Sequence, residues 1–466
     1  MDVPGKPGIG QCAALPGTET ILMEENNTSL QPSVTEELKQ LLADVQRYRN
    51  EAQKYRNEAR SALAAARDEH ADIVRERLEK SWAVASLPPF PAPYRTDDVG
   101  DGAFLLTRAG ADEADFSAYG AALSAAGFSR HAEFAEGAVR AATYYNDSTV
   151  VSLSFATSDG ILRAVSEPMA KTALPAITPV PCGDLPILFR QEGDLFEKVD
   201  CGMSYIFRLA DGKFFVIDGG WNTPGIADRL FAALSRMAEG KTPVIAAWIF
   251  THAHIDHIGA FFDFARDYAE KVKLETVIYS FPGKSRLTEM GDTFVAGFLA
   301  NWDECVARFE GARVIKARTG QRFYLSGLTV ELLFTFEDYP MPHRLHNFND
   351  TSLVFRVRAA GQKWMFLGDI AESGAPLFCA RYGNGLESDV VQVAHHGYPG
   401  GTDELYDCIK APVVLWPAPL VAPWGPLRYA DPEWSAVTRR MVQKYAKKVF
   451  VAGEGAFECT LPLQAD

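Results

Sequence analysis

The spacing of apolar residues changes several times along the chain. Residues 1–33 show no period and are rich in Gly, Pro, Thr, Asn and Glu, which predicts a disordered leader. From Val34 to Trp82 apolar and small residues return every seven positions. Leu38, Val45, Ala52, Ala59, Ala66 and Ile73 form one line, and Leu41, Tyr48, Tyr55 and Ala62 a second. This predicts a long helix over residues 34–82 with a heptad seam. The near repeat Arg47-Tyr-Arg-Asn-Glu-Ala52 and Lys54-Tyr-Arg-Asn-Glu-Ala59 sustains the seam, and Glu69 and Glu76 break it. Either a coiled coil assembles a homo-oligomer or docks a partner, or a single solvated helix pairs Arg with Glu along its face.

Four prolines between Ser86 and Tyr94 exclude a helix interior, so residues 83–97 read as a stiff linker. Residues 98–180 then read as a small α/β module. Phe104-Leu-Leu-Thr is strand-like. Phe116 to Ala126 is helical, with Tyr119, Leu123 and Ala126 on one face and Gly127 as its stop. Strand-like runs follow at Val139–Tyr145, Thr149–Phe155 and Gly160–Val165. The aromatics Phe128, Tyr144, Tyr145 and Phe155 serve either as core or as a binding face.

Residues 185–466 contain apolar runs that end in polar clusters, and here the chemistry concentrates. Val244-Ile-Ala-Ala-Trp-Ile-Phe250 reads as a buried strand and is followed at once by His252-Ala-His254-Ile-Asp256-His257. Alternation turns His252 and His254 to one side of extended backbone, where two imidazoles grip one divalent ion. Asp256 and His257 are placed to hold a second ion. Mixed imidazole and carboxylate ligands suit zinc, with manganese or iron as alternatives. A polar loop of surface histidines is the plain alternative, and this arrangement behind a strand argues against it.

Three further segments complete a pattern. Phe214-Phe-Val-Ile-Asp218-Gly-Gly220 lies upstream. Lys363-Trp-Met-Phe-Leu-Gly-Asp369 and Ser388-Asp-Val-Val-Gln-Val-Ala-His395-His396-Gly397 lie downstream. In this order the motifs resemble the metallo-β-lactamase fold superfamily. Their Gly-Asp and His-His-Gly forms, with Asn349-Asp-Thr-Ser-Leu-Val354 read as a strand, resemble the hydrolase domain of bacterial competence (DNA uptake) channel proteins and phosphorylcholine esterases. The resemblance implies an α/β fold, an αββα sandwich of two mixed sheets with two divalent ions at the sheet edge. It implies ester hydrolysis by a hydroxide held between them, tilted toward a phosphodiester or related small ester. Lactone or thioester hydrolysis on the same fold is an alternative, as is a catalytically weak scaffold assembled through the N-terminal helix.

The resemblance also assigns roles. His252, His254, Asp256, His257, Asp369 and His395 are the implied metal ligands, with Asp369 bridging. Asp256, Asp369, His396 and Tyr398 are the implied catalytic group. Which of His395 and His396 is the ligand stays open; the other would contact substrate. Tyr398 contacts substrate or a developing oxyanion, or is a wall residue. Many members carry a metal-binding His at about the Asn349–Val354 segment, and this sequence has no clean equivalent. Here His343, His346 or Asn349 takes that place, or the first ion keeps a thinner protein shell completed by water or substrate. Asp218 reads as structural, shaping a turn or orienting a metal-bound His.

Composition sets the limits. The 466 residues carry a formal charge of −14, which argues against broad nucleic-acid binding without excluding a local basic groove. Seven dispersed cysteines with no Cys-x-x-Cys pair predict reduced thiols and a cytoplasmic protein. No apolar stretch is long enough to span a membrane, and the first residues lack a signal-peptide pattern.

Overall fold

The computed structural model describes residues 87–100, 102–169, 186–190, 202–282, 299–339, 345, 348–418, 433, 435–454 and 457–465. The leader expected over 1–33, the helix over 34–82 with its seam, His343 and His346 lie outside the described residues. All the described residues fall in one unit of the chain, Ala71–Asp466.

The first described element group is a six-stranded antiparallel sheet. Its strands are β1 (Arg95–Gly100), β2 (Ala103–Ala109), β3 (Ser129–Glu136), β4 (Val139–Tyr145), β5 (Thr149–Ala156) and β6 (Ile161–Pro168), in the order β1-β2-β6-β5-β4-β3. Helix α1 (Glu113–Ala125) starts at a capping box. The Asp112 side chain accepts from the Asp115 N–H, and Asp115 accepts from the Asp112 N–H. Its Phe116, Tyr119 and Leu123 pack on Phe104, Leu153 and Phe155. Phe128, Tyr144 and Phe155 are therefore core rather than a binding face.

The proline-rich segment does not stand off as a linker over its described part. Phe90 is only 3% exposed and packs edge-on against Tyr119 and Tyr94, and β1 begins at Arg95, inside the expected linker. All eight residues of β5 are buried, because α1 covers one face and the larger domain covers the other. Thr143 hydrogen-bonds Tyr324 at 2.7 Å, and Arg313 and Gln321 both donate to Glu167. Ser158 donates to the Arg381 carbonyl.

The larger domain has two mixed sheets. One holds β7 (Pro186–Arg190), β8 (Ser204–Arg208), β9 (Phe214–Ile217), β10 (Val244–Phe250), β11 (Lys273–Leu274), β12 (Thr276–Tyr279), β13 (Arg313–Lys316) and, last in the chain, β21 (Phe457–Thr460). The other holds β14 (Arg322–Leu325), β15 (Leu328–Phe334), β16 (Val354–Ala359), β17 (Gln362–Phe366), β18 (Val390–Gln392), β19 (Val413–Trp416) and β20 (Lys448–Val451), in chain order. Alternation along β9 shows how the layers form. Phe215 and Ile217 join Phe355, Trp364 and Phe366 between the sheets. Phe214 and Val216 face outward to Leu230 of α2 (Ile226–Met237), Phe261 and Phe264 of α3 (Ile255–Tyr268), and Trp302 of α4 (Trp302–Ala307). On the far side, Met365, Val391 and Val414 meet Phe378 of α5 (Ala375–Tyr382), Leu405 of α6 (Asp403–Ile409) and Met441 of α7 (Ala436–Tyr445). The result is a helix–sheet–sheet–helix sandwich.

One expected strand forms only in part. Phe348–Thr351 is a 3₁₀ turn, and β16 starts at Val354. The Thr351 hydroxyl donates back to the Phe348 carbonyl at 2.6 Å, which holds the turn. The segment Asn349–Leu353 is thereby free of strand pairing and lies against the end of β10, with the Leu353 N–H bonded to the Thr251 carbonyl.

A buried ionic network joins the small module to the second sheet. Glu331 of β15 accepts from Arg356 at 2.7 Å and from Arg322 at 3.4 Å, and Arg358 lies 3.2 Å away. Glu136 of β3 pairs with Arg356, Arg358 and Lys363. Burial opposes the charge on Glu331, but Arg356, Arg322 and Arg358 outweigh it and hold its carboxyl at about 2. A depressed carboxyl stabilises the fold fully above its ordinary value of 4.5, and that contribution is lost as pH falls toward 2. Glu331→Gln should therefore cost about 3–5 kcal/mol near neutral pH and flatten the loss of stability below pH 4.5. Urea unfolding of both proteins between pH 6 and 3 measures this; parallel pH slopes would remove Glu331 from the account.

Candidate metal centre

Both sheets end at one place. The parallel neighbours β9 and β10 run into Asp218 and Thr251, and the parallel neighbours β17 and β18 run into Asp369 and the His395–His396 pair. Open sheets collect functional groups at the carboxyl ends of parallel strands. The first link is Asp218. Its carboxylate accepts from the Thr251 N–H and hydroxyl, each at 2.8 Å, and from His257 Nδ1 at 2.8 Å. His254 caps α3, and Asp256 and His257 form its first turn.

The second link is Gln392. Its Oε1 accepts from the N–H groups of Leu367 and Gly368, both at 2.9 Å, and its Nε2 donates to the Gly368 carbonyl. Ser352 Oγ accepts from the Asp369 N–H at 3.0 Å. Gly368 has φ +54°, and a Cβ there would lie 3.0 Å from Thr251. Glycine therefore brings the Asp369 turn of one sheet against the histidine loop of the other. Gln392 carries a sequence signal, a polar residue inside the apolar run Val390-Val-Gln-Val-Ala394. Nothing in the sequence marks the Pro417 carbonyl, which lies 2.8 Å from His396 Nδ1.

These links assemble two ligand groups. Asp256, His257, Asp369 and His396 form one; His252, His254 and Asp369 form the other; within each group the candidate ligand atoms lie within 4.8 Å of one another. Asp369 belongs to both. His396, rather than His395, sits in the first of these. The chain leaves extended geometry after β18, with His395 at φ 51° and His396 at φ 54°. This rotates His396 inward onto Asp256 and Asp369. His395 lies to the other side, with 23% of its side chain exposed, Nε2 3.9 Å from Asp369 Oδ2 and 3.1 Å from Asn349 Nδ2. Tyr398 is half-buried and packs edge-on against the His395 ring at 4.9 Å.

The donor set fits divalent ions. Ligands about 2.0–2.1 Å from a tetrahedral ion lie roughly 3.3 Å from each other. His257 Nε2 lies 3.0 Å from His396 Nε2 and 3.2 Å from Asp369 Oδ1. His396 Nε2 lies 3.2 Å from Asp256 Oδ2 and 3.5 Å from Asp369 Oδ2. His252 Nε2 lies 3.0 Å from His254 Nδ1 and 3.7 Å from Asp369 Oδ2. Asp369 Oδ1 is buried and accepts no hydrogen bond, as suits an atom aimed at a cation.

Electrostatics agree with this reading. Burial opposes the charge on His257, but Asp369, Asp256 and Asp218 together hold its imidazole well above the ordinary range. The same opposition lifts His396 to about 9, through Asp369 and Asp256. Burial and then His257 push His252 well below the ordinary value. Against burial, His257, His396 and His252 keep Asp369 well below the ordinary carboxyl range. The buried carboxylates thus demand positive charge beside them, and divalent ions supply more of it than imidazolium does.

Residues 200–415 match the family model of the metallo-beta-lactamase superfamily. No curated protein matches the sequence. Among solved structures, the metallo-beta-lactamase fold protein YhfI from Bacillus subtilis is 12% identical with a TM-score of 0.36, over 60% of this chain and 99% of that one. Unliganded yeast PDE1 is 11% identical with a TM-score of 0.37, over 60% and 100%. CmlA, a diiron beta-hydroxylase from Streptomyces venezuelae, is 14% identical with a TM-score of 0.36, over 64% and 55%. Likenesses of that size say nothing about activity. The family match, the order of the motifs and the sandwich fold agree: over residues 200–415 the chain carries a metallo-beta-lactamase superfamily domain.

Proposed function

We propose that this domain is a metal-dependent hydrolase acting on a phosphodiester or a related small ester, with zinc as the first choice of metal and manganese or iron as alternatives. The observation that carries the reading is the sharing of Asp369 between two buried ligand groups. Two ions held there would supply Lewis acidity and an activated water. His252 and His254 would hold one, Asp256, His257 and His396 the other, and Asp369 both. The phosphodiester preference rests on the Gly-Asp and His-His-Gly motif forms. Carboxylate and imidazole donors without cysteine are compatible with each of the three metals.

The chain's own residues prepare the site. The Pro417 carbonyl can only accept, so His396 keeps its proton at Nδ1, and the Asp218 carboxylate does the same for His257. With ions bound, both Nε2 atoms would face the centre as lone pairs. Asp369 sits on a turn that Gln392 and Ser352 hold in one place. We assign Tyr398 to the substrate, as donor to the oxygen on which charge develops. His396 passes from the substrate-contact role to the ligand role.

A scaffold assembled through residues 34–82 is the competing class. Its helix lies outside the described residues. No helix among the described residues is long and apolar enough to cross a membrane. The four described cysteines, Cys305, Cys379, Cys408 and Cys459, are free thiols, which supports a reducing compartment such as the cytoplasm.

Three measurements test the proposal. Metal analysis of purified protein should find two ions, and bis(p-nitrophenyl) phosphate should turn over with zinc, manganese or iron; bound metal without turnover of any ester in a panel favours the scaffold. Asp369→Ala should abolish turnover with the circular dichroism spectrum unchanged, and persisting turnover would sink the shared-carboxylate reading. Tyr398→Phe should lower kcat about 100-fold, whereas a wall residue would leave it near the wild-type value. Separately, Asp218→Asn should weaken metal retention about 10–100-fold in chelator competition, because an amide has one acceptor oxygen and cannot accept from both the Thr251 N–H and His257 as the two carboxylate oxygens do.

A further inference from the structure

Two adjacent histidines end the last strand of the site, and only one belongs to a compact ligand group. In extended backbone their rings would point to opposite faces. Instead both residues take left-handed backbone, His395 at φ 51°, ψ 44° and His396 at φ 54°, ψ 18°. This is an uncommon choice for one non-glycine residue and more so for two in succession. Its effect is convergence. His396 Nε2 and His395 Nε2 lie 3.5 and 3.9 Å from the same oxygen, Asp369 Oδ2, although the ring centroids are 6.5 Å apart.

The surroundings of His395 are built for a ligand. Its Nδ1 lies 2.7 Å from the Pro399 carbonyl. A carbonyl only accepts, so the proton sits at Nδ1 and the lone pair at Nε2. Pro417 and Asp218 likewise keep a proton on Nδ1 of His396 and His257, and a proton at Nδ1 is what coordination by Nε2 requires. Gly400 makes the Pro399 contact reachable. A Cβ there would lie 2.8 Å from the Ile370 carbonyl and 3.1 Å from His395 Cβ. Tyr398 closes the other side of the ring.

The group of His252, His254 and Asp369 supplies three protein ligands, and Asp369 Oδ2 lies 3.7 Å from His252 Nε2. A zinc ion takes four ligands, or three with a water. We propose that His395 is the fourth protein ligand of this group, so that the neighbouring histidines serve one ion each. This rests on the reading of the site as a two-ion centre. It replaces the choice among His343, His346 and Asn349 for that place. Asn349 instead donates from Nδ2 to His395 Nε2 at 3.1 Å, occupying the lone pair that an ion would take. An ion held there would take the lone pair that Asn349 now occupies, leaving Asn349 outside the ligand set.

The test is cobalt(II) reconstitution of the full chain, followed by metal stoichiometry, the visible d–d spectrum and chelator competition. Wild type should hold two ions. His395→Ala and the bulkier His395→Gln should each keep one ion and bind the other at least about 100-fold more weakly, with a changed d–d spectrum. Asn349→Ala and His346→Ala should hold both ions within a few-fold of wild type. Thermal unfolding of the metal-free proteins checks that each variant folds, and the exposed edge of His395 favours two tolerated substitutions. The assignment is overturned if both His395 variants bind two ions with the wild-type spectrum, or if Asn349→Ala or His346→Ala is the variant that loses one. A wild-type protein that binds no ion would overturn the two-ion reading itself, which is a distinct result.

Discussion

A carboxylate buried among imidazoles is the constraint on which the site depends. Asp369 is 1% exposed and lies within 3.9 Å of ring nitrogens from His252, His257, His395 and His396. A buried charge is costly unless it is paired and hydrogen-bonded. The fold meets that cost with positive charge drawn from both sheets. Removing the positive partners would leave two carboxylates, Asp256 and Asp369, facing each other in a dry setting. This is why the two halves of the sandwich share one edge, and why the side chains behind the ligands, Asp218, Ser352 and Gln392, are themselves buried and hydrogen-bonded.

Precision in such a site comes from groups that never touch an ion. Asp218 ties the β9 turn to Thr251 and His257, so one carboxylate fixes both a loop and a ring. Gln392 uses both ends of its amide on the Gly368 turn. These side chains stand at strand ends, where backbone groups leave the sheet ladder and need partners. Satisfying the backbone and aiming the ligands are therefore one task.

The small N-terminal sheet belongs to the same body as the sandwich. Its strand β5 is covered on both faces, and its Glu136, Asp159 and Glu167 are bound by arginines of the larger domain, Arg358, Arg381 and Arg313. A surface so occupied supports the sandwich rather than presenting a face to ligands. The network around Glu331 makes that support dependent on charge as well as on apolar packing.

Much of this was legible in the linear chain. The buried run before His252, the terminal positions of Asp218 and Asp369 and the order of the motifs point to the His and Asp cluster at the sheet edge, because strand periodicity and ligand chemistry are local properties. The helix from Phe116 and the strands at Val139 and Thr149 are legible for the same reason. The choice between His395 and His396 was not, since it turns on two left-handed residues stabilised by Pro399, Pro417 and the Gly400 contact, all of them set by tertiary packing. Nor did the Pro-rich segment reveal that Phe90 would be buried against Tyr119, or the strands of the module that the larger domain would cover their second face. A sequence records which side chains can bind, and where the backbone bends. Which of two neighbours faces a common centre depends on distances between segments far apart in the chain, and only folding sets those.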